Sequence, residues 1–340
     1  MMNLYTEAGW LNIPEILKAF DTHDFIFITG GRGIGKTYGA IECLIKLGIK
    51  FVLLRRLELE AQLQADLDTS SLRPVLEDMG YLTDEHTILF KKVAGKLTIV
   101  YIDGAEVCAI AALSTFSTLR GIDLTRYKLL LYDEFIPELH VRSLKAEGMA
   151  FSQVYETIDR NRQLNGEPAL KALLLSNSLN MANDIFLYYD LVNDVQRMAE
   201  TPGLEILERG NKLIILSQMS PISNRKRDTA LYKAASEEFS RMAISNKFIL
   251  NDMTYVKKRN LKEFVIICKV GDLYIYKHKS DAVWYVTFTR GETKKIYTTG
   301  AADLERFRRD YWRLWSRYLD GQIYFEKYLA VTLFEKYYKQ

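Results

Sequence analysis

The chain has 340 residues, 48% of them hydrophobic and 26% charged, and its 46 Lys and Arg against 43 Asp and Glu leave a formal charge of +3. This length accommodates two domains of ordinary size with a substantial core, which excludes fibrous and disordered classes. The small charge does not identify a nucleic-acid binder, and Cys43, Cys108 and Cys268, odd in number and apart from the four histidines, exclude a disulfide framework and a zinc site.

In chain order, the first strong element is the apolar run Phe25 to Ile28, a strand that leads into Gly30-Gly31-Arg32-Gly33-Ile34-Gly35-Lys36-Thr37. That octet fits G-x-x-x-x-G-K-[ST], the P-loop, and predicts binding of a nucleoside triphosphate. Glycines let backbone N–H groups turn in around the β-phosphate, Lys36 reaches the β- and γ-phosphates, and the Thr37 hydroxyl ligates Mg²⁺. The four fixed positions would match by chance in about one chain in a hundred of this length. Tyr38 to Leu47 continues as an amphipathic helix with Ala40, Ile41, Leu44 and Ile45 on one face. The expected nucleotide-binding set is therefore Gly30, Gly31, Arg32, Gly33, Ile34, Gly35, Lys36, Thr37 and Tyr38.

Phe51 to Leu54 is a second strand, ending in Arg55-Arg56, and Leu57 to Leu67 is an acidic helical stretch. Ile88 to Val93, Lys96 to Ile102 and Glu106 to Ile110 read as an antiparallel meander, since Ala94-Gly95 and Asp103-Gly104-Ala105 are tight-turn signals. Leu129-Leu130-Leu131-Tyr132-Asp133-Glu134 is an apolar strand ending in two carboxylates, the form of a Walker B motif. Asp133 is expected to hold Mg²⁺ and Glu134 to polarise the attacking water. A helix over Met149 to Arg162 ends in Arg160-Asn161-Arg162. An arginine there can serve as a finger to a neighbouring subunit, or simply oppose the negative end of the helix dipole. The strand Leu173 to Leu175 ends at Ser176-Asn177, where Asn177 is either a γ-phosphate sensor or a turn residue. Alternating strands and helices predict a mostly parallel α/β sheet closing near residue 195.

Beyond Pro202-Gly203 the pattern reads as a connector that includes Asn224-Arg225-Lys226-Arg227. Strands over Phe264 to Val270, Leu273 to Lys277 and Trp284 to Thr289, then helical stretches from Ala302 to Tyr318 and Ile323 to Tyr337, form a smaller α+β domain. The expected boundaries are a motor domain at 1–200, a linker at 201–228 and a C-terminal domain at 229–340. The basic clusters Arg225, Lys226, Arg227 and Lys257, Lys258, Arg259 are either solvated faces or DNA contacts. No apolar run approaches the roughly 20 residues of a membrane span, and the first residues show no signal pattern, so a cytoplasmic location is expected. Guanine selection usually needs Asn-Lys-x-Asp, and Asn246-Lys247-Phe248-Ile249 lacks the aspartate. Three readings stay open on residues alone: an ATPase, another P-loop enzyme such as a GTPase or small-molecule kinase, or a nucleotide-gated DNA-binding protein without turnover.

Phe27 to Ala40, Leu54-Arg55-Arg56, Tyr132-Asp133-Glu134-Phe135-Ile136, Arg160-Asn161-Arg162, Leu175-Ser176-Asn177 and Leu191-Val192-Asn193-Asp194-Val195 together resemble the encapsidation ATPase of phi29-like podoviruses. The resemblance is clear over about the first two hundred residues and patchy beyond, at Ser245 to Ile249 and Lys257-Lys258-Arg259. It implies an additional-strand catalytic Glu (ASCE) P-loop ATPase fold with a smaller domain like a vestigial RNase H-like nuclease. It also implies a homopentameric ring on the procapsid portal, in the host cytoplasm and absent from the mature virion, that moves double-stranded DNA with ATP and Mg²⁺. A structural packaging RNA is a further partner left open. By position, Arg160 becomes the leading trans-acting finger with Arg162 second, Arg120 acts across the subunit boundary, and Arg32 contacts the γ-phosphate in cis. Leu57-Glu58 stands where relatives are expected to have a basic residue, so no DNA contact transfers there. Asp272 and Asp281 fall in turns and Glu263 before its strand, so no nuclease activity is expected.

Overall fold

Near-continuous apolar runs suit strands buried on both faces, as a parallel sheet between helical layers requires. The computed structural model has that arrangement. It describes residues 2–93, 95–119, 121–137, 144, 146–177, 180–181, 183–218, 220–225, 229–230 and 255–339. Two compact units divide the chain, Met1–Tyr189 with Arg197–Ile249, and Asp190–Gln196 with Leu250–Gln340.

The first unit runs α1 (Ile13–Leu17), β1 (Phe25–Gly30), α2 (Lys36–Lys46), β2 (Phe51–Arg55), α3 (Glu58–Gln64), α4 (Leu72–Asp78), β3 (Ile88–Val93), β4 (Leu97–Ile102) and β5 (Ala105–Ala112). It continues with β6 (Leu129–Asp133), α5 (Glu147–Asp159), β7 (Lys171–Ser176), α6 (Asp184–Tyr188), α7 (Val192–Glu200), within which the division falls, β8 (Ile206–Arg209), β9 (Lys212–Ser217) and α8 (Pro221–Arg225). The nine strands form one sheet in the order β3-β4-β5-β2-β6-β7-β1-β9-β8. From β5 to β9 every pairing is parallel, while β3, β4 and β8 are antiparallel to their neighbours. One strand, β7, lies between the P-loop strand β1 and the carboxylate strand β6. That inserted strand is the one the ASCE class is named for, and the fold is a mixed α/β P-loop fold of that class.

Alternation along the strands assigns each face. Ile26, Ile28, Leu53, Leu131 and Leu173 pack with Ile13 and Ile16 of α1, Ile41 and Leu44 of α2, Ala61 of α3 and Val75 of α4. The other face is aromatic: Phe27 lies 6.1 Å from Phe186 of α6, and Tyr132 stacks on Phe151 of α5 at 5.4 Å. At this face Arg56 and Glu147 form a buried ion pair, with Nε donating to Oε1 at 2.7 Å, and the Tyr132 hydroxyl donates to the same carboxylate at 2.6 Å. Breaking a buried pair by removing one partner strands the other charge, at a cost of about 3–5 kcal/mol. Glu147→Ala is therefore expected to lower the stability of this unit by about that amount, read as a shifted denaturant midpoint; a change below about 1 kcal/mol would contradict the pairing.

Two expectations change here. The stretch at 201–228 is not a plain linker, because β9 pairs with β1 from Phe25↔Lys212 to Gly30↔Ser217 and β8 pairs with β9. Leu213 to Leu216 is a strand buried on both faces, whose partner lies almost two hundred residues earlier. In the second unit the elements are β10 (Phe264–Val270), β11 (Leu273–His278), β12 (Trp284–Thr287), β13 (Ile296–Tyr297), α9 (Ala301–Asp310), α10 (Arg313–Leu319), β14 (Ile323–Phe325) and α11 (Tyr328–Lys339). Ala302 to Tyr318 is thus two helices, and Ile323 to Phe325, expected to be helical, is a strand parallel to β12. Its β-branched and aromatic side chains fit a pleated surface, and Tyr324 lies beside Tyr285 in register. The five strands follow the order β13-β10-β11-β12-β14. Among the described residues no helix is long and apolar enough to cross a membrane.

Candidate active site

Parallel strands all point their C-terminal ends the same way, so β1, β2, β6 and β7 deliver Gly30, Arg55, Asp133 and Ser176 to one end of the sheet. The P-loop leaves β1 there. A Cβ on Gly30 would meet Ile34 Cδ1 at 2.7 Å and Ser217 Cβ at 2.9 Å, so the close approach of loop and β9 admits no side chain. Gly35 adopts φ 92°, left-handed backbone that turns the chain into α2. The N-terminus of that eleven-residue helix presents backbone N–H groups and the positive dipole end to an anion.

Lys36 is 5% exposed and its Nζ donates to the carbonyls of Gly30 and Gly31, both at 2.8 Å, which holds the ammonium inside the loop. The Thr37 hydroxyl donates to Asp133 Oδ1 at 2.8 Å, across 96 positions of sequence. A hydroxyl and a carboxylate side by side are the hard oxygens that Mg²⁺ accepts in company with nucleotide phosphates. Thr37 and Asp133 therefore fit that ion, and the loop with Lys36 fits the phosphates. Among the described residues no group of three or more His, Cys, Asp or Glu could hold a metal.

Glu134 follows directly, at φ 58°. Left-handed backbone costs a non-glycine residue roughly 1–2 kcal/mol, and here it turns the chain off the strand immediately after Asp133. Burial, and next the charge of Asp133, raise the Glu134 pKa above the ordinary glutamate value, while the Asn177 backbone N–H, Lys36 and Arg55 pull it back. Asn177, at the end of β7, donates from its backbone N–H to Oε2 at 3.3 Å and from its side chain to Oε1. Its amide is thus engaged with the carboxylate beside it. The end of β2 adds a residue that the sequence did not single out for the site: Arg55 donates through Nη1 to Asp133 Oδ2, and its Nε lies 3.9 Å from Glu60 Oε2. The twin arginines were visible, but only the β2–β6 pairing shows that one meets Asp133 while the other turns to Glu147.

The remaining expected site residues separate. Arg32 is exposed on the loop, and Ile34 is buried with its carbonyl accepting from Leu11 N–H at 2.9 Å. The Tyr38 hydroxyl donates to Asp78 at 2.7 Å. Arg160 and Arg162 follow α5 at the opposite end of the sheet, against the segment that leads into β6. Arg160 and Asn161 are consecutive left-handed residues, at φ 40° and 63°, and they turn the two arginines in different directions. Arg160 has a side chain 39% exposed, with Nη2 donating to Ile122 O at 3.1 Å. Arg162 is 3% exposed and donates to the carbonyls of Thr125 and Tyr127, so it fixes the entry to β6 and does not serve as a second finger. Arg225, Lys257 and Lys258 are exposed, whereas Arg259 is half-buried and stacks on the Tyr324 ring at 3.9 Å. Arg120, Lys226 and Arg227 lie outside the described residues, as does Asn246 to Ile249.

Comparison with known proteins follows the same lines. The family described as Podovirus DNA encapsidation protein (Gp16) matches residues 10–318. The DNA packaging protein of Bacillus phage phi29 is 24% identical over 346 aligned positions, covering 95% of this chain and 96% of its own. That of Bacillus phage B103 is 24% identical, covering 90% of this chain and 94% of its own. Among solved structures, the bacteriophage Phi-29 viral genome packaging motor assembly is similar with a TM-score of 0.65 at 21% identity, over 98% of this chain and 100% of that one. The Phi-28 gp11 DNA packaging motor is similar with a TM-score of 0.64 at 17% identity. At these identities the structural likeness speaks for the fold.

Proposed function

Because the chain belongs to the podovirus DNA encapsidation protein family, we propose that it is an ATP-driven motor that moves viral double-stranded DNA into a procapsid. The observation that carries the reading is the 2.8 Å contact between Thr37 of the P-loop and Asp133 of the strand two places away, with Glu134 directly beyond it. In this reading Lys36 and the loop amides bind the ATP phosphates, and Thr37 and Asp133 hold Mg²⁺. When bound, Mg²⁺ neutralises charge on the phosphate oxygens. Glu134 takes a proton from water as the water oxygen bonds to the γ-phosphorus and the bond to the ADP oxygen breaks. Arg55 and Asn177 orient the two carboxylates.

The ring follows from the same reading. Arg160 lies at the far end of β6 from its own P-loop, at least about 13 Å away at ~3.3 Å rise per residue, so it serves the next subunit's ATP. Arg32 is the cis contact, and Arg120 acts across the boundary. The subunits form a homopentamer at the portal of a procapsid in the host cytoplasm, with a structural RNA as an optional further partner. The first unit with β8 and β9 is the motor, and the second is a DNA-binding domain of vestigial nuclease type. On its sheet Asp272 and Asp281 stand outside the strands, and Glu326 accepts from Thr287 and the Phe288 N–H. That arrangement supports binding without cutting.

Duplex binding is expected to be independent of sequence and to weaken steeply with salt, because each phosphate contact releases counterions. Lys257→Gln with Lys258→Gln should reduce the salt slope by about 0.9 for each phosphate that these lysines neutralise, and the duplex should stay uncut with Mg²⁺ present. Anisotropy titrations and a nicking assay check this; an unchanged slope returns these lysines to a solvated face, and nicking overturns the vestigial assignment.

A further inference from the structure

The most concentrated unopposed positive charge in the described part of the first unit lies on the β3–β4 hairpin. From Thr87 to Ile102 there is no acidic residue, while Lys91, Lys92 and Lys96 fall within six positions. Lys91 and Lys92 are exposed, Lys96 is half-buried, and among the described residues none of the three forms an ion pair. Other lysines of this unit are neutralised locally, Lys18 by Glu15, Lys46 by Glu42, Lys128 by Glu167 and Lys171 by Asp24. Side chains alternate along a strand, so Lys91, opposite Ile99, and Lys92, opposite Thr98, leave the ribbon on opposite faces, and Lys96 sits in its turn. The ribbon thus carries charge on both faces and at the tip.

Register places that tip. Val93 pairs with Leu97, Leu97 with Ala111, Ala111 with Leu54 and Leu54 with Tyr132, so the hairpin turns at the level of the residue before Asp133. The tip therefore shares the sheet end of the nucleotide site, three to four strand spacings from β6, about 14–19 Å at ~4.8 Å each. Because β4 is covered by β5, only β3 and the turn are open at this edge of the sheet, and they present the lysines to a strand of phosphates.

We infer that the β3–β4 hairpin grips the phosphate backbone of duplex DNA, with Lys91, Lys92 and Lys96 as its contacts. This rests on the packaging-motor reading and names where the motor unit touches its track. The competing use for lysines on β3, an edge strand, is to block edge-to-edge association. That use would leave DNA affinity alone.

The test measures binding of a short duplex of arbitrary sequence by anisotropy across a series of salt concentrations, with light scattering of the same samples. Lys91→Gln/Lys92→Gln/Lys96→Gln should reduce the slope of log K against log salt by about 2 to 3, at ~0.9 per phosphate. Replacing all three by Arg should retain the slope. Lys18→Gln/Lys50→Gln/Lys128→Gln removes the same charge elsewhere and should leave it within experimental error. If the hairpin triple associates, Lys96→Gln alone, off the edge strand, should still reduce the slope by about 0.9. An unchanged slope in that single variant, or equal reductions in the two Gln triples, overturns the hairpin grip while leaving the motor reading in place. A parent protein that binds no duplex overturns both.

Discussion

Glu134→Gln is expected to bind ATP and Mg²⁺ as the parent does and to hydrolyse ATP slower by roughly 10²–10⁴-fold, the usual contribution of a positioned general base. The amide keeps the size of the side chain, and Lys36, Thr37 and Asp133, which hold phosphates and metal in the proposal, remain in place. What disappears is the oxygen that accepts the water proton. The Asn177 contacts can survive in altered form, because an amide oxygen still accepts from the backbone N–H. Single-turnover phosphate release and nucleotide binding on the same preparation separate the two effects. Turnover near the parent rate would remove Glu134 from the chemistry, and loss of binding would make it a structural residue.

The second large effect belongs to Arg160. Arg160→Ala should fold, bind ATP and fail to hydrolyse it, with a defect of roughly 10³–10⁵-fold if the guanidinium stabilises transition-state charge as an arginine finger does. Position supports a trans role, since Arg160 follows α5 and lies near Ile122 and Asp123, before β6, whereas the P-loop lies beyond the strand's other end. Mixing provides the decisive arrangement. Arg160→Ala and Glu134→Gln subunits are each inactive alone, yet in a mixed ring an Arg160→Ala subunit keeps its own Glu134 and receives Arg160 from a Glu134→Gln neighbour. Restored hydrolysis at intermediate ratios is the expected result. Silence at every ratio, with mixed rings demonstrated by native mass, would remove the trans finger and leave Arg32 as the γ-phosphate contact.

The features legible from sequence are those whose physics is local. The P-loop is eight consecutive residues between a strand and a helix, and the carboxylates close a short apolar run, so Lys36, Thr37, Asp133 and Glu134 could be placed by spacing alone. The meander over Ile88 to Ile110 was legible for the same reason, its turns being marked by Gly95 and Gly104. Strand order was not, because pairing joins residues far apart: nothing near Leu213 announces that it will lie beside Ile26, and the connector became two strands of the main sheet. Arg55 looked like its twin until the β2–β6 pairing put it against Asp133. Arg160 and Arg162 are two residues apart and indistinguishable by type, and only the left-handed pair Arg160-Asn161 sends one to the surface and the other inward. The contacts of Tyr38 with Asp78 and of Arg259 with Tyr324 were not legible, because those partners come from separate elements.

The most direct measurement of the central claim follows phosphate release and nuclease-protected DNA in one reaction containing this chain, procapsids with their portal, genomic duplex and ATP. Phosphate and protected DNA should rise together, both should stop when ATP is withheld, and neither should appear with Glu134→Gln. Protected DNA accumulating without hydrolysis, or hydrolysis indifferent to DNA with none protected, would contradict the assignment of this chain as the motor.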